Sequence, residues 1–138
     1  MKASVTPFQL FLDQYQAAVL AKDSSAFAAL YDEEVEVFDT WERWSISGRD
    51  AWRTTASAWF AGLGAETLVA CASEVHCSQA GELVLGHALM TYTTVSASGE
   101  RLRALSKRIT VGLRRSGGRW KVFHEHSSVP VDHITPVL

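Results

Sequence analysis

The stretch Arg119-Trp-Lys-Val-Phe-His-Glu-His-Ser-Ser128 decides how the whole chain is interpreted. Successive side chains of an extended strand point to opposite faces, so His124 and His126 share one face and Glu125 lies on the other. The three successive titratable groups of His124, Glu125 and His126, within a largely apolar strand, are costly to bury without partners. The stretch therefore predicts a strand whose polar side chains are either structurally paired or part of a functional site.

The remainder of the chain divides into a helical first half and a strand-rich second half. Pro7 opens a first helix, and Asp23 or Ser24 caps a short second helix. A third helix follows Gly48 and ends near Leu63. Strands are predicted over 35–41, 66–77, 83–95, 101–113 and 119–128. This order predicts an α+β domain in which three N-terminal helices cover one face of an antiparallel sheet.

The composition is that of an ordinary globular domain. The chain has 138 residues, with 13 Lys and Arg against 15 Asp and Glu, a formal net charge of −2. This balance argues against a dedicated nucleic-acid partner. No apolar run approaches the length that spans a membrane, so no membrane partner is expected.

The cysteines and the N-terminus predict a cytoplasmic protein. In one extended strand, Cys71 and Cys77 would lie about 20 Å apart, too far for a disulfide. Their shared parity predicts two small buried hydrophobic residues, which suits a reducing compartment. Asp13 soon interrupts the apolar run Phe8–Leu12, so no signal peptide is expected.

Both faces of the long second-half strands carry apolar side chains. Along the strand 83–95, one face has Leu83, Leu85 and Leu89, and the other has Val84, Ala88, Met90 and Tyr92. Each apolar face needs cover. We expect the helices to bury one face and to enclose a cavity there. The outer face is expected to pair with a second copy, which predicts a homodimer.

Three local patterns carry a family resemblance. They are Asp23–Tyr31 followed by 35–39, Gly48-Arg-Asp50, and Gly118–Ser127. Together they resemble the SnoaL-like and ketosteroid-isomerase-like proteins of the nuclear transport factor 2-like superfamily. The last pattern is also similar to the calmodulin-dependent kinase association domains. The resemblance runs from Phe8 to Pro130 and implies a single SnoaL-like domain over 1–138.

The fold that the resemblance implies is a cone-shaped, cystatin-like α-β roll, in which a strongly curved sheet surrounds a pocket roofed by the helices. It says little about function, because this scaffold carries isomerases, dehydratases, cyclases and non-enzymatic assembly domains.

The resemblance also assigns site residues. Asp39 falls where ketosteroid isomerases place their general base, and Tyr15 where they place the phenol that stabilises the substrate oxyanion. Their second acid has no counterpart on the strand 101–113, where the nearest candidates are Ser106, Arg108 and Thr110. Arg108 is expected to bind an anionic group or a developing oxyanion. Two structural alternatives stay open: a core role for Tyr15 and an ion pair between Asp39 and Arg108.

Three roles compete for His124 and His126. They are metal ligation, proton transfer near neutral pH, and hydrogen bonding within the sheet or at a dimer face. A gap-free alignment with the isomerases places Phe123, Glu125 and Ser127 towards the pocket. A one-residue slip in the turn before this strand would invert that assignment. No cofactor and no metal are predicted, because no third ligand is specified.

Aromatic residues are expected to line the pocket. Trp41 and Trp44 flank a loop at its mouth and are binding candidates. Trp52 and Trp59 lie at helical spacing, where they are core residues or pocket wall, and Tyr92 is a candidate wall residue. A cavity of this kind favours a flat apolar or aromatic ligand with one or two polar groups.

Two functions fit these observations. The first is a cofactor-independent isomerase, dehydratase or cyclase that works by proton transfer on an apolar or aromatic carbonyl compound. The second is a non-catalytic ligand-binding or oligomerisation domain. A closed ion pair at Asp39 without an adjoining void would remove the base from the first function, whereas an adjoining void would favour it.

Overall fold

The structure, a computed structural model, describes residues 5–131. Within that range there are three helices: α1 (Pro7–Ala21), α2 (Ser24–Ala28) and α3 (Arg49–Gly62). The strands are β1 (Tyr31–Phe38), β2 (Ile46–Ser47), β3 (Thr67–Ala80), β4 (Leu83–Val95), β5 (Arg101–Ser116) and β6 (Arg119–Ser128). All six belong to one curved sheet in the order β2-β1-β6-β5-β4-β3. No helix in the described range is both long enough and apolar enough to cross a lipid bilayer.

Local capping fixes the two N-terminal helices. The Thr6 side chain accepts a hydrogen bond from the first turn of α1, and Pro7 occupies a position where a backbone N–H is not needed. Lys22 ends α1 in the left-handed conformation, and Asp23 caps α2 immediately afterwards. The buried side of α1, which packs on β3 and β4, consists of Phe8, Phe11, Leu12, Tyr15, Ala18 and Val19.

The predicted α+β class is confirmed, with one parallel pair in the otherwise antiparallel sheet. That pair is β1 with β6. β1 begins at Tyr31 and ends at Phe38, so it does not run over 35–41 as predicted. The Thr40 backbone N–H donates to Ser127 Oγ at 3.1 Å instead of to a ladder carbonyl. Asp39 and Trp41 therefore lie in the loop after β1.

A bulge in β6 changes which side chains share a face. Leu113 pairs with Val122, but Gly112 pairs with His124, so Phe123 is an extra residue. The Phe123 ring covers Gly112, where an added Cβ would lie 2.7 Å from the ring Cζ. Val122 and Glu125 consequently both point inward, although their numbers differ in parity.

A second bulge, in β3, corrects the prediction for the two cysteines. The register shifts between Ser73 and His76, and Cys71 then lies opposite Thr91 while Cys77 lies opposite Gly86. Directly opposed residues point to the same face, so the bulge separates the two cysteines onto different faces. Both are exposed free thiols. The prediction that they are buried on a shared face is wrong.

The close approach of α1 to β4 depends on Gly86. A Cβ at this position would lie 2.3 Å from Phe8 Cγ, an atom that cannot move away without the whole ring. We expect Gly86→Ala to lower the free energy of unfolding by about 1–3 kcal/mol, as overpacking does. Urea denaturation measures it. The matched control is Gly62→Ala in α3, where no atom lies within 4 Å and no loss is expected. Equal stability of the Gly86 variant and the wild type would contradict the packing described.

Candidate functional site

A cavity of about 1000 Å³ lies between α3, the loop after β1, and the inner face of the sheet. Its apolar lining includes Phe27, Trp41, Trp52, Trp59, Leu68 and Leu105. Its polar lining includes Tyr15, Asp39, Tyr92 and Lys107. The volume is large enough for a drug-sized or polycyclic small molecule.

An ion pair between Lys107 and Asp39 stands on the cavity wall. Lys107 Nζ lies 3.8 Å from Asp39 Oδ1, and the two side chains are 8% and 10% exposed. Ser127 Oγ donates a hydrogen bond to the same carboxylate oxygen at 3.2 Å. Removing two charges from water is costly, so burial of this pair does not by itself imply a gain in stability. Because both residues line the cavity, the pair remains available to a ligand.

Two phenols adjoin the ion pair. Lys107 Nζ lies 5.2 Å from the centroid of the Tyr92 ring, and the hydroxyls of Tyr92 and Tyr15 are 2.7 Å apart. Burial raises the pKa of both tyrosines, so each keeps its proton at neutral pH. Burial alone would lower the pKa of Lys107, but the nearby Tyr92, Glu125 and Asp39 outweigh it and raise that pKa. The wall thus combines one ammonium group with neutral phenols.

A second buried acid lies behind this wall. Glu125 is 1% exposed, and the hydroxyl of the fully buried Tyr31 donates to its Oε1 at 2.6 Å. Burial raises the pKa of Glu125 to about 7, against the opposing effects of Lys107 and of the Tyr31 hydrogen bond. Glu125 is therefore poised to change its charge near neutral pH.

The structure corrects the expectation for Arg108. This residue is exposed on the outer face of the sheet, and its Nε donates to Ser128 Oγ at 3.1 Å. Lys107, absent from the sequence-based candidates, is the cation that meets Asp39. The signal for it was present in β5, because Ile109, Val111 and Leu113 form an inward row to which residue 107 belongs.

His124 and His126 also lie outside the cavity. They flank Phe38 on the outer face, with ring centroids 4.8 and 5.5 Å from the Phe38 ring. His124 Nδ1 lies 2.8 Å from the Glu36 carbonyl oxygen. This placement gives no support to a proton-transfer role within the cavity. Among residues 5–131, no group of three or more His, Cys, Asp or Glu side chains is arranged to hold a metal ion.

The β6 bulge settles which side of this strand faces inward. Glu125 and Ser127 point inward, as the gap-free alignment indicated, whereas Phe123 points outward. The Arg114 guanidinium lies 5.6 Å from the centroid of the Phe123 ring on that outer face. Phe123 is therefore not part of the cavity.

The tryptophans divide into lining and non-lining residues. Trp41, 54% exposed, stands at the cavity mouth, while Trp44 is 96% exposed and does not line the cavity. Trp52 is buried in the aromatic core and forms part of the wall. Trp59 packs edge-on against Tyr92 with ring centroids 5.9 Å apart. The expectation that Trp44 contacts the ligand is thus not met by its position.

Comparison with known proteins identifies related sequences and folds. The model of the SnoaL-like domain family matches residues 9–132. No curated protein matches the chain. Among solved structures, a nuclear transport factor 2-like protein of unknown function from Pseudomonas putida KT2440 is 27% identical, with a TM-score of 0.78. That alignment covers 91% of this chain and 86% of the other.

Two further structures share the fold at lower identity. One, from Xanthomonas campestris, is described as a candidate calcium/calmodulin-dependent protein kinase II association domain. It is 14% identical, with a TM-score of 0.78 and coverage of 94% of this chain and 89% of that one. The other, from Streptomyces avermitilis, is described as a candidate dehydratase of the same superfamily. It is 17% identical, with a TM-score of 0.74 and coverage of 91% and 96%.

The raised pKa of Glu125 predicts a specific dependence of stability on pH. The folded protein holds this proton up to about pH 7, whereas the unfolded chain releases it near pH 4.5. The associated stability is complete below pH 4.5 and is lost as the pH rises to 7, by at most about 3 kcal/mol. Glu125→Gln should remove this component of the free energy of unfolding. Urea denaturation at several pH values measures it, with the exposed Glu34→Gln as control. Identical pH profiles for wild type and Glu125→Gln would contradict the assignment.

Proposed function

The chain belongs to the SnoaL-like domain family, as its resemblance predicted, and we propose that its cavity binds an apolar or aromatic carbonyl compound and transfers a proton on it. The reaction class is a cofactor-independent isomerisation, dehydration or cyclisation. The observation that carries this proposal is the Asp39–Lys107 pair on the wall of a cavity of about 1000 Å³. An acid and a cation lie side by side where a ligand fits.

In the proposed mechanism, Asp39 removes a proton from the carbon next to the ligand carbonyl. The electron pair of the broken C–H bond forms the enolate, whose negative charge develops on the carbonyl oxygen. The Lys107 ammonium stabilises this oxygen, assisted by the Tyr92 hydroxyl. Asp39 then returns the proton to another carbon in an isomerisation. In a dehydration the enolate expels a hydroxyl group from the neighbouring carbon, which takes the proton from Asp39 and leaves as water. In a cyclisation the enolate attacks a second carbonyl carbon of the same ligand, and the alkoxide that forms takes the proton from Asp39.

Neighbouring residues hold the reacting groups in place. Ser127 donates to Asp39 and itself accepts from the Thr40 backbone, so the carboxylate is held from the β6 side. Tyr15 supports Tyr92 through the bond between their hydroxyls. Trp41 and Trp59 offer flat surfaces for an aromatic ligand. Preorganised donors of this kind lower the barrier because they need no reorientation during the reaction.

A non-catalytic ligand-binding or assembly domain is the second candidate. One observation favours it: Asp39 already has two partners, Lys107 and Ser127, and does not depend on a ligand to satisfy its charge. The fold shared with the Xanthomonas protein, described as a candidate association domain, is compatible with it. The two functions differ in whether Asp39 is needed for turnover or only for binding.

We also propose that the protein is a homodimer through the outer face of the sheet. Large apolar side chains are exposed there, among them Val69, Leu83, Leu85, Leu89 and Leu102. Several exposed large apolar side chains on one face of a sheet favour an interaction site. A second copy of the same face would bury these residues symmetrically.

We also propose that the protein resides in the reducing environment of the cytoplasm. Cys71 and Cys77 are both free and exposed. Exposed thiols persist in the reduced form where cellular reductants maintain them, and they oxidise readily elsewhere.

The proposed base can be tested without knowing the natural substrate. A probe such as 5-nitrobenzisoxazole loses a carbon-bound proton to a base in an apolar cavity and yields a coloured phenolate. We expect Asp39→Asn to lower the rate of this elimination by about a hundredfold or more. The Lys107 ammonium loses its carboxylate partner in this variant, so the melting temperature should fall, and the rates are compared at a temperature at which both proteins are folded. The matched control is Asp13→Asn, an exposed acid of α1. Equal rates for Asp39→Asn and wild type would remove Asp39 from the mechanism.

Dimerisation is tested by light scattering at micromolar concentration, where we expect the mass of two chains. Leu85→Glu places a charge in the proposed interface, at a side chain that is 56% exposed. It should shift the protein towards a monomer. Leu20→Glu on α1, at 52% exposure, is the control and should not. A monomeric wild type, or equal behaviour of the two variants, would contradict the proposed interface.

A further inference from the structure

Two ionisable groups on the cavity wall, the Lys107 ammonium and the Asp39 carboxylate, are electrostatically coupled to a third, the buried carboxyl group of Glu125. Lys107 and Asp39 line the cavity, and Glu125 lies behind them. Both acids act electrostatically on Lys107, and Lys107 and Asp39 both act on Glu125. The three groups therefore form one electrostatic unit, which we call the inner charge cluster.

Glu125 is sealed from solvent by the sheet and the helices. Its cross-strand neighbours are Val37 in β1 and Val111 in β5, both fully buried. Among the described residues, its hydrogen-bond donor is the Tyr31 hydroxyl. The other ionisable groups that act on it are Lys107 and Asp39, and Glu125 in turn acts on the phenols of Tyr15 and Tyr92. The two histidines of its own strand, His124 and His126, face outward and do not approach Glu125.

The charges of the inner cluster do not balance when both acids are ionised. One ammonium then faces two carboxylates, which leaves an excess negative charge in a region of low dielectric. A bound anion beside Lys107 would add a second negative charge. Uptake of one proton by a carboxylate removes the added charge. Glu125 is the better acceptor, because Asp39 has both Lys107 and Ser127 as direct partners.

The remaining lining of the cavity suits an aromatic anion. Arg43 and Arg103 line the cavity together with Lys107, and Arg103 also pairs with Glu66 at 2.9 Å. Trp41 and Trp59 supply aromatic surface. An aromatic ring that carries a carboxylate, sulfonate or phenolate would place its ring on this surface and its charge at Lys107.

We propose that the cavity binds aromatic anions together with a proton from solvent, and that Glu125 is the group that receives this proton. The proton balance is simple: the anion enters, the Glu125 carboxylate becomes a carboxylic acid, and the net charge of the region is unchanged. The inference rests on the proposed ligand cavity but not on its catalytic use. It makes Glu125 a positioning residue that acts through Lys107, since Glu125 does not itself line the cavity.

Calorimetric titration with 8-anilinonaphthalene-1-sulfonate tests the proposal, because this aromatic anion stays ionised throughout the pH range. At pH 7.5, in two buffers of different ionisation enthalpy, we expect the wild type to take up about half a proton or more on binding. Between pH 7 and 8.5 its affinity should fall by up to about tenfold per pH unit. Glu125→Gln should bind with no proton uptake and with little dependence on pH. The exposed Glu34→Gln is the matched control and should behave as wild type.

Two more variants keep the test decisive. Tyr31→Phe removes the hydrogen bond that favours the charged carboxylate, so the pH of maximal uptake should rise. Lys107→Met should weaken binding at least tenfold, and equal affinity in this variant would place the anion elsewhere and overturn the proposal. The proposal would also be overturned if the wild type did not bind the anion, or if Glu125→Gln still took up a proton on binding. Proton uptake that is lost in Asp39→Asn but kept in Glu125→Gln would identify Asp39 as the acceptor instead.

The outcome is separable from that of the proposed catalysis. Elimination that depends on Asp39, without proton uptake at Glu125, would overturn only the coupling of proton and anion. Proton uptake at Glu125, without Asp39-dependent elimination, would overturn only the catalytic proposal.

Discussion

The burial of the Lys107–Asp39 ion pair on the concave face of the sheet is the constraint on which the site depends. A buried charge is tolerated only when it is paired and hydrogen-bonded. Here the ammonium on β5 meets the carboxylate that follows β1, and Ser127 on β6 holds that carboxylate. Three segments that are distant in sequence must therefore come together before either charge can leave water. The same requirement leaves both charges beside a cavity.

Sheet irregularities are what make this arrangement possible. The extra residue Phe123 lets β6 bury Val122 near one end and Glu125 and Ser127 further along. Without the bulge, a strand that buries Val122 would turn Glu125 outward and His124 inward. The pair Phe123 and Gly112 holds the bulge in place, because the ring occupies the space that a side chain at 112 would fill. A packing contact on the outer face of the sheet thus helps to determine which β6 side chains point inward.

The sequence predicted the architecture better than the site. Helix caps and alternating strands are local signals, and they gave the α+β class and most element boundaries. The alternation in β5 also places Lys107 on the inward face, whereas the resemblance points to Arg108, which lies near the position of the isomerases' second acid. The bulges at Phe123 and near Glu74 depend on contacts between strands, and alternation alone does not reveal them. For that reason the sequence alone predicts the wrong faces for Cys71 and Cys77 and does not determine the inward face of β6.

Glu125 is a titratable acid that lies buried behind the cavity wall and is electrostatically coupled to the ion pair on that wall. Carbon-13 NMR of the Glu125 side-chain carboxyl, followed through a pH titration, measures this directly. We expect a midpoint near pH 7. A midpoint near 4.5, the ordinary value for an exposed glutamate, would show that Glu125 is solvated and is not coupled to the ion pair.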